Sequence, residues 1–185
     1  MKQAPRKITQ FGNPVLRLQA RLLTIDEIVN PSVRQLVTDM DELLTSRKLG
    51  VGLAAPQVGE SVSCAIVHIQ KTALRPEAEP FRLVMFNPEI TATLGRKAQM
   101  WEGCISGGSG KAGLFAKVPR YKKVELTYYD ETAHKRTAIF EGLPAHVIQH
   151  EVDHLNGIVF VDKVKDTKTY MTYAEYRKMK QRAVQ

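Results

Sequence analysis

Residues 143–155 read Leu143-Pro144-Ala145-His146-Val147-Ile148-Gln149-His150-Glu151-Val152-Asp153-His154-Leu155. Val147, Ile148, Val152 and Leu155 recur at helical spacing, so the segment is predicted to be a largely buried helix. Asn156-Gly157 closes it, with glycine at the left-handed cap position. On such a helix His150 and His154 share one face, about 6 Å apart along the axis, and both reach one metal ion. Glu151 follows the first of them and reaches water at that ion without being a ligand.

Two histidines do not complete a catalytic site, which takes three protein ligands and one open position. His146 continues the stripe one turn earlier, but it stands about 12 Å from His154 along the axis, too far to share an ion. No histidine follows His154. Two third ligands remain open. Glu175 lies downstream, as the third ligand does in some zinc peptidases. Cys104 lies in Trp101-Glu102-Gly103-Cys104-Ile105-Ser106, among polar and glycine residues, and offers a thiolate. Cys64 sits within an apolar strand and reads as buried filler. A third cluster is Gly50-Val51-Gly52-Leu53-Ala54-Ala55-Pro56-Gln57. Its small residues admit close backbone approach by another chain or a ligand. The Gln57 amide at its end is a donor suited to a carbonyl oxygen.

Outward from these motifs, Asn30-Pro31-Ser32 starts a second helix whose apolar face is Val33, Leu36, Val37, Met40, Leu43 and Leu44, with Gly50 as its stop. Residues 62–69 and 81–86 read as buried strands. Residues 123–129 and 135–140 read as a hairpin around Asp130-Glu131-Thr132-Ala133. Ile158-Val159-Phe160 reads as a short strand, and Tyr170 to Arg182 as a terminal helix. Strands grouped between helices, without βαβ alternation, predict a single α+β domain.

The 185 residues fit one domain with a core that needs no disulfide staples. With 43% hydrophobic and 25% charged residues the composition is that of a globular protein, and no apolar run is long enough to span a bilayer. The opening Met1 to Lys7 lacks an apolar stretch, which excludes a signal peptide, and two cysteines suit a reducing cytoplasm. The net charge of +8 favours an anionic partner such as RNA or a membrane surface. Half of it falls in residues 162–185, where seven basic residues meet three acidic ones.

Three of these motifs occur together in one family. Gly50 to Gln57, Glu102-Gly103-Cys104-Ile105-Ser106 and Gln149 to His154 resemble, in order and rough spacing, the signature motifs of peptide deformylases. Phe11-Gly12-Asn13-Pro14-Val15-Leu16-Arg17 is similar to that family's N-terminal segment. The resemblance covers residues from about 7 to 165. It implies an α+β domain with small antiparallel sheets around a central helix that carries the metal ligands, and a C-terminal helix. It assigns residues 1–165 to the catalytic domain and 166–185 to a basic C-terminal helix of the same domain. It implies that Cys104, His150 and His154 bind one divalent metal, Fe²⁺ in the cell, with Zn²⁺, Ni²⁺ or Co²⁺ able to substitute. Glu151 would be general base and then acid. Gln57 and the backbone N–H of Ile105 would form the oxyanion hole. The substrate would be the N-formylmethionyl end of a nascent polypeptide, its backbone paired with Val51, Gly52 and Gly103, its methionine near Leu143, His146 and Val147.

Two departures stand out. Ser106 is followed by the glycine-rich run Gly107 to Gly113 where the family usually has a proline. His146 is an ionisable group beside the expected methionine pocket, or else a solvent-facing one. The further expectations are a cytoplasmic monomer without membrane contact, meeting the ribosome through the segment from Lys163 to Arg182. Two other readings compete: an HExxH zinc peptidase with Glu175 as third ligand, and an RNA- or ribosome-binding module that kept the fold without catalysis.

Overall fold

Residues 64–69 are apolar at nearly every position because both faces of that strand are covered. The computed structural model describes residues 6–47, 50–73, 75–108 and 112–182. In chain order these form α1 (Ile25–Ile28), α2 (Pro31–Ser46), β1 (Gly52–Ala54), β2 (Cys64–Ile69), β3 (Phe81–Gly103), β4 (Leu114–Tyr129), β5 (Lys135–Glu141), α3 (Gly142–Leu155), β6 (Met171–Thr172) and α4 (Tyr173–Arg182), with short 3-10 turns between them. The strands form one antiparallel sheet in the order β1-β2-β3-β4-β5, with β6 on β4.

Alternate residues of β2 serve two cores, as the period of two requires. Ala65, Val67 and Ile69 pack with Ala145, Ile148, Val152 and Leu155 of α3. Cys64 and Ile66 pack with Leu36, Val37, Met40 and Leu44 of α2. The sheet therefore lies between two helices, and α3 is buried along most of its length. Gln149 ties α3 to β4, accepting from Tyr121 N–H at 3.0 Å and donating to its carbonyl at 2.8 Å. Gly157, at φ +71°, turns the chain away after α3, and a Cβ there would meet the Arg17 carbonyl at 2.6 Å.

α2 begins as expected, with Asn30 accepting from Ser32 N–H and Pro31 in the first turn. It ends at Ser46, before Gly50, because Arg47 adopts extended backbone. The hairpin of β4 and β5 also follows the expected pairing, Lys123 opposite Glu141 and Tyr129 opposite Lys135. β3 is much longer than the expected 81–86. It pairs with β2 up to Phe86 and then with β4 as far as Gly103. Bulges at the positive-φ residues Asn87 and Gly95 let it bend, and the exposed run Gly95-Arg96-Lys97 interrupts its hydrophobic pattern.

Two expectations are overturned. Ile158 to Phe160 is not a strand; Phe160–Lys163 is a 3-10 turn, held by Asp162 accepting from Val159 N–H at 3.0 Å, and Phe160 is buried beside Cys104. The terminal helix starts at Tyr173 rather than Tyr170, because Met171 and Thr172 pair with β4. Tyr173 and Tyr176 of α4 lie against Phe115, the latter stacked at 4.4 Å, and Tyr176 also meets Trp101. Residues 1–5 and 183–185, and Ser109-Gly110-Lys111 of the glycine-rich run, lie outside the described residues. Among the described residues no helix is long and apolar enough to cross a membrane.

Candidate metal centre

α3 aims His150 and His154 at the same point, with their rings edge to face at 4.9 Å between centroids. Cys104 reaches that point from the end of β3. Its Sγ is 3.2 Å from His154 Nε2, and one ligand atom from each of the three residues lies within 4.8 Å of the others. All three are buried. A thiolate with two imidazoles is a donor set for a divalent transition metal, so the residues present fit such an ion. Glu175 is elsewhere, exposed on α4 and paired with Lys178 at 2.6 Å. Cys64 faces the α2 core, where burial pushes its thiol far above the usual range.

Gln57 comes from a 3-10 turn, Ala55–Val58, that follows β1. Its Oε1 accepts from Ala54 N–H at 2.8 Å, which turns Nε2 toward the centre. That nitrogen donates to Cys104 Sγ at 3.3 Å and to Ser106 Oγ at 3.2 Å. Ser106 N–H also approaches Sγ, at 3.4 Å. Ile105, between them, packs toward the α2 core, and its carbonyl accepts from Gln10.

Glu151 follows His150 on α3. Its carboxylate is buried under β1: a Cβ on Gly52 would fall 2.2 Å from Glu151 Oε1 and 2.7 Å from Val147, so only glycine fits there. Among the described residues, nothing hydrogen-bonds to the buried Glu151 Oε2. Burial pushes its pKa up to about 7; the Glu102 charge adds to the rise, while those of His150 and Arg120 oppose it. Val51, just before β1, accepts from His68 N–H. Leu143 and Val147 lie in the α3 core, and Gly103 packs under the Phe115 ring.

The structure joins His146 to a group that sequence reasoning quoted but gave no role. Glu102 is buried and meets four donor nitrogens. Arg120 Nε (2.6 Å) and His146 Nε2 (2.8 Å) meet Oε1; Arg120 Nη2 (3.0 Å) and His150 Nδ1 (2.9 Å) meet Oε2. Arg120 also meets Asp153 Oδ2 at 2.5 Å. Burial works against the Glu102 charge, but these donors outweigh it and hold its pKa far below the usual range. His146 is therefore not solvent-facing. Arg120 had a readable signal: it continues the inward period of Ala116 and Val118 on β4, where a charge requires a buried partner. For Glu102, whose partners come from β4 and α3, no local signal existed.

A soft, three-ligand donor set with an adjacent carboxylate and an amide donor, on one helix and one sheet, defines a metal-dependent hydrolase. The family model described as polypeptide deformylase matches residues 5–170. Similar curated proteins include the peptide deformylase of Leptospira biflexa, 36% identical over 169 residues that cover 90% of this chain and 92% of that one. That of Aquifex aeolicus is 34% identical, covering 94% and 96%. Among solved structures, a class I type b peptide deformylase from Acinetobacter baumannii with Met-Ala-Ser bound superposes with TM-score 0.81 at 32% identity, over 88% of this chain and all of that one. The Thermotoga maritima enzyme gives 0.74 at 29% identity over 89% of this chain. The chain belongs to the polypeptide deformylase family. It is a hydrolase that removes the formyl group from the N-terminal formylmethionine of new polypeptides.

Proposed function

We propose that Cys104, His150 and His154 hold the catalytic metal of this deformylase, that Glu151 moves the proton, and that Gln57 with the Ile105 N–H receives the developing oxyanion. When bound, the divalent ion supplies Lewis acidity, which makes water a competent nucleophile near neutral pH. The carboxylate of Glu151 takes a proton from the attacking water and delivers it to the nitrogen of the breaking C–N bond. Formate and a free methionyl amine result. Its buried state and raised pKa suit a group that must both accept and release a proton near pH 7. Gln57 is pre-aimed by Ala54 N–H, so donation to the formyl oxygen costs little reorganisation. Val51 and Gly52 offer an edge strand, and Gly103 a second rail, for the substrate backbone; Leu143, His146 and Val147 are the α3 residues nearest the methionine side chain. The Met-Ala-Ser tripeptide bound by the Acinetobacter relative supports a product of that chemistry.

The observation that carries this reading is the gathering of one thiolate and two imidazoles within reach of one ion, with Gln57 Nε2 donating to that thiolate and the buried Glu151 next to His150 on α3. Its test is anaerobic purification with metal quantification, then assay on formyl-Met-Ala. One metal per chain is expected, lost in Cys104→Ala with the activity. Full activity and metal content in that variant would remove Cys104 from the ligand set. We assign Fe²⁺ as the cellular ion. A thiolate beside it oxidises, so activity decays in air and persists in the Ni²⁺ or Zn²⁺ form; an Fe²⁺ form stable in air argues against iron.

In this reading residues 1–165 are the catalytic unit and 166–185 a basic helix of the same domain, and the protein acts as a cytoplasmic monomer. Arg177, Lys180 and Arg182 are exposed on α4, while Tyr173 and Tyr176 dock it on β3 and β4. This supports contact with ribosomal phosphates. Truncating α4 would uncover Phe115 and Trp101, so the sharper test exchanges the three basic residues for glutamate. Ribosome co-sedimentation should weaken, with a salt slope reduced by about one per lost contact, while turnover of short formyl peptides stays unchanged. Equal co-sedimentation removes the ribosome from the account.

A further inference from the structure

We infer that His146 is a positioning residue of the metal centre: by donating to Glu102 it holds the carboxylate that sets the tautomer and aim of His150. The inference rests on His150 being a ligand. His146 and His150 are one turn apart on α3, and Glu102 spans them, with Oε1 on His146 Nε2 at 2.8 Å and Oε2 on His150 Nδ1 at 2.9 Å. With both Arg120 contacts, all four acceptor positions of the carboxylate are filled. An ionised Glu102 accepts from His150 Nδ1–H, which leaves the Nε2 lone pair free for a metal. Without His146, Oε1 keeps only Arg120 Nε, and the carboxylate is free to rotate away from His150.

Packing alone does not account for the imidazole. His146 is 6% exposed, and its other ring nitrogen, Nδ1, is buried with no partner among the described residues. A buried unpaired polar atom costs stability that a leucine of similar size would avoid. Among the described residues, the polar contact of the ring is with Glu102.

The experiment loads Co²⁺ into the wild type, His146→Leu and His146→Gln, and reads the dissociation constant by chelator competition together with the visible ligand-field spectrum. Glutamine Nε2 falls where His Nε2 does and restores the donor. His146→Leu is expected to bind cobalt about 10–100-fold more weakly with an altered spectrum, and His146→Gln to return within about threefold of wild type. Wild-type affinity and spectrum in His146→Leu, or equal weakening in both variants, would overturn the inference. Thermal melts of the chelated proteins identify a misfolded variant; His146→Asn, whose amide is too short for Glu102, then replaces leucine under the same criteria. If the wild type itself fails to hold stoichiometric cobalt, or Cys104→Ala binds it as tightly, the metal centre is wrong and not merely the role of His146.

Discussion

Two carboxylates in this molecule each hold a histidine and an arginine. Glu102 joins His150, His146 and Arg120 beside the metal centre, with its side chain 2% exposed. Asp41 on α2 joins His68 of β2 at 2.7 Å and Arg82 of β3 at 3.0 Å, with its side chain 23% exposed. At Asp41 the cluster is only partly covered, so solvent screens its charges and each contact is worth less. At Glu102 no water replaces a lost partner, so every lone pair must be filled by protein. The same residue types make a surface cluster in one place and a fixed frame for a ligand in the other. Glu151 makes a third case: buried like Glu102, but without donors on Oε2. One buried carboxylate is held charged and the other is poised to change.

The largest effect expected is on Glu151. Glu151→Gln keeps the shape and removes the base, so kcat should fall by at least about 10²-fold with metal content unchanged. Near-normal turnover would end its assignment as the proton carrier.

Next comes Glu102. Glu102→Ala leaves Arg120 with Asp153 alone and two imidazoles without an acceptor. Urea unfolding of the chelated protein should show a loss of about 3–5 kcal/mol, the scale for orphaning a buried charge. A loss under about 1 kcal/mol would mean that the frame relaxes freely, as a surface pair does.

The two buried carboxylates should also differ in the sign of their pH dependence. Glu151 is raised from 4.5 to about 7, so on raising the pH the unfolded chain ionises first and stability falls between those values. At about 1.4 kcal/mol per unit this approaches ~3 kcal/mol at pH 8. Chelated Glu151→Gln should therefore be more stable than wild type at pH 8 and equal at pH 4. Glu102 is lowered, so its stabilisation is present above pH 4.5 and is lost only as pH falls toward its folded value. Parallel stability–pH curves for wild type and Glu151→Gln would break this contrast.

The smallest effect belongs to the surface cluster. Asp41→Asn should change stability by less than about 1 kcal/mol, shrinking further in high salt, with turnover unaffected.

What was legible in the sequence is what the backbone period sets. The i, i+4 spacing of His150 and His154 and the placing of Glu151 between them follow from 3.6 residues per turn. The start of α2, the hairpin of β4 and β5 and the glycine stop after α3 are equally local. The sequence alone also determined which motifs stand together, and with them the family. Only the tertiary structure decided which groups meet across elements. Which carboxylate turns to His150 depends on the β3–β4 register, which sets Glu102 opposite Ala116 and Arg120 opposite Ala98, and on how α3 lies across that sheet. The length of β3 was hidden because bulges and the exposed run Gly95-Arg96-Lys97 break the alternation of Ile90, Ala92 and Leu94. The contact of His146 with Glu102 was not legible, because that partner lies 44 positions earlier in the chain. Hydrophobic periodicity carries no information about such a partner: it records which face is buried, not which buried charge comes to meet it.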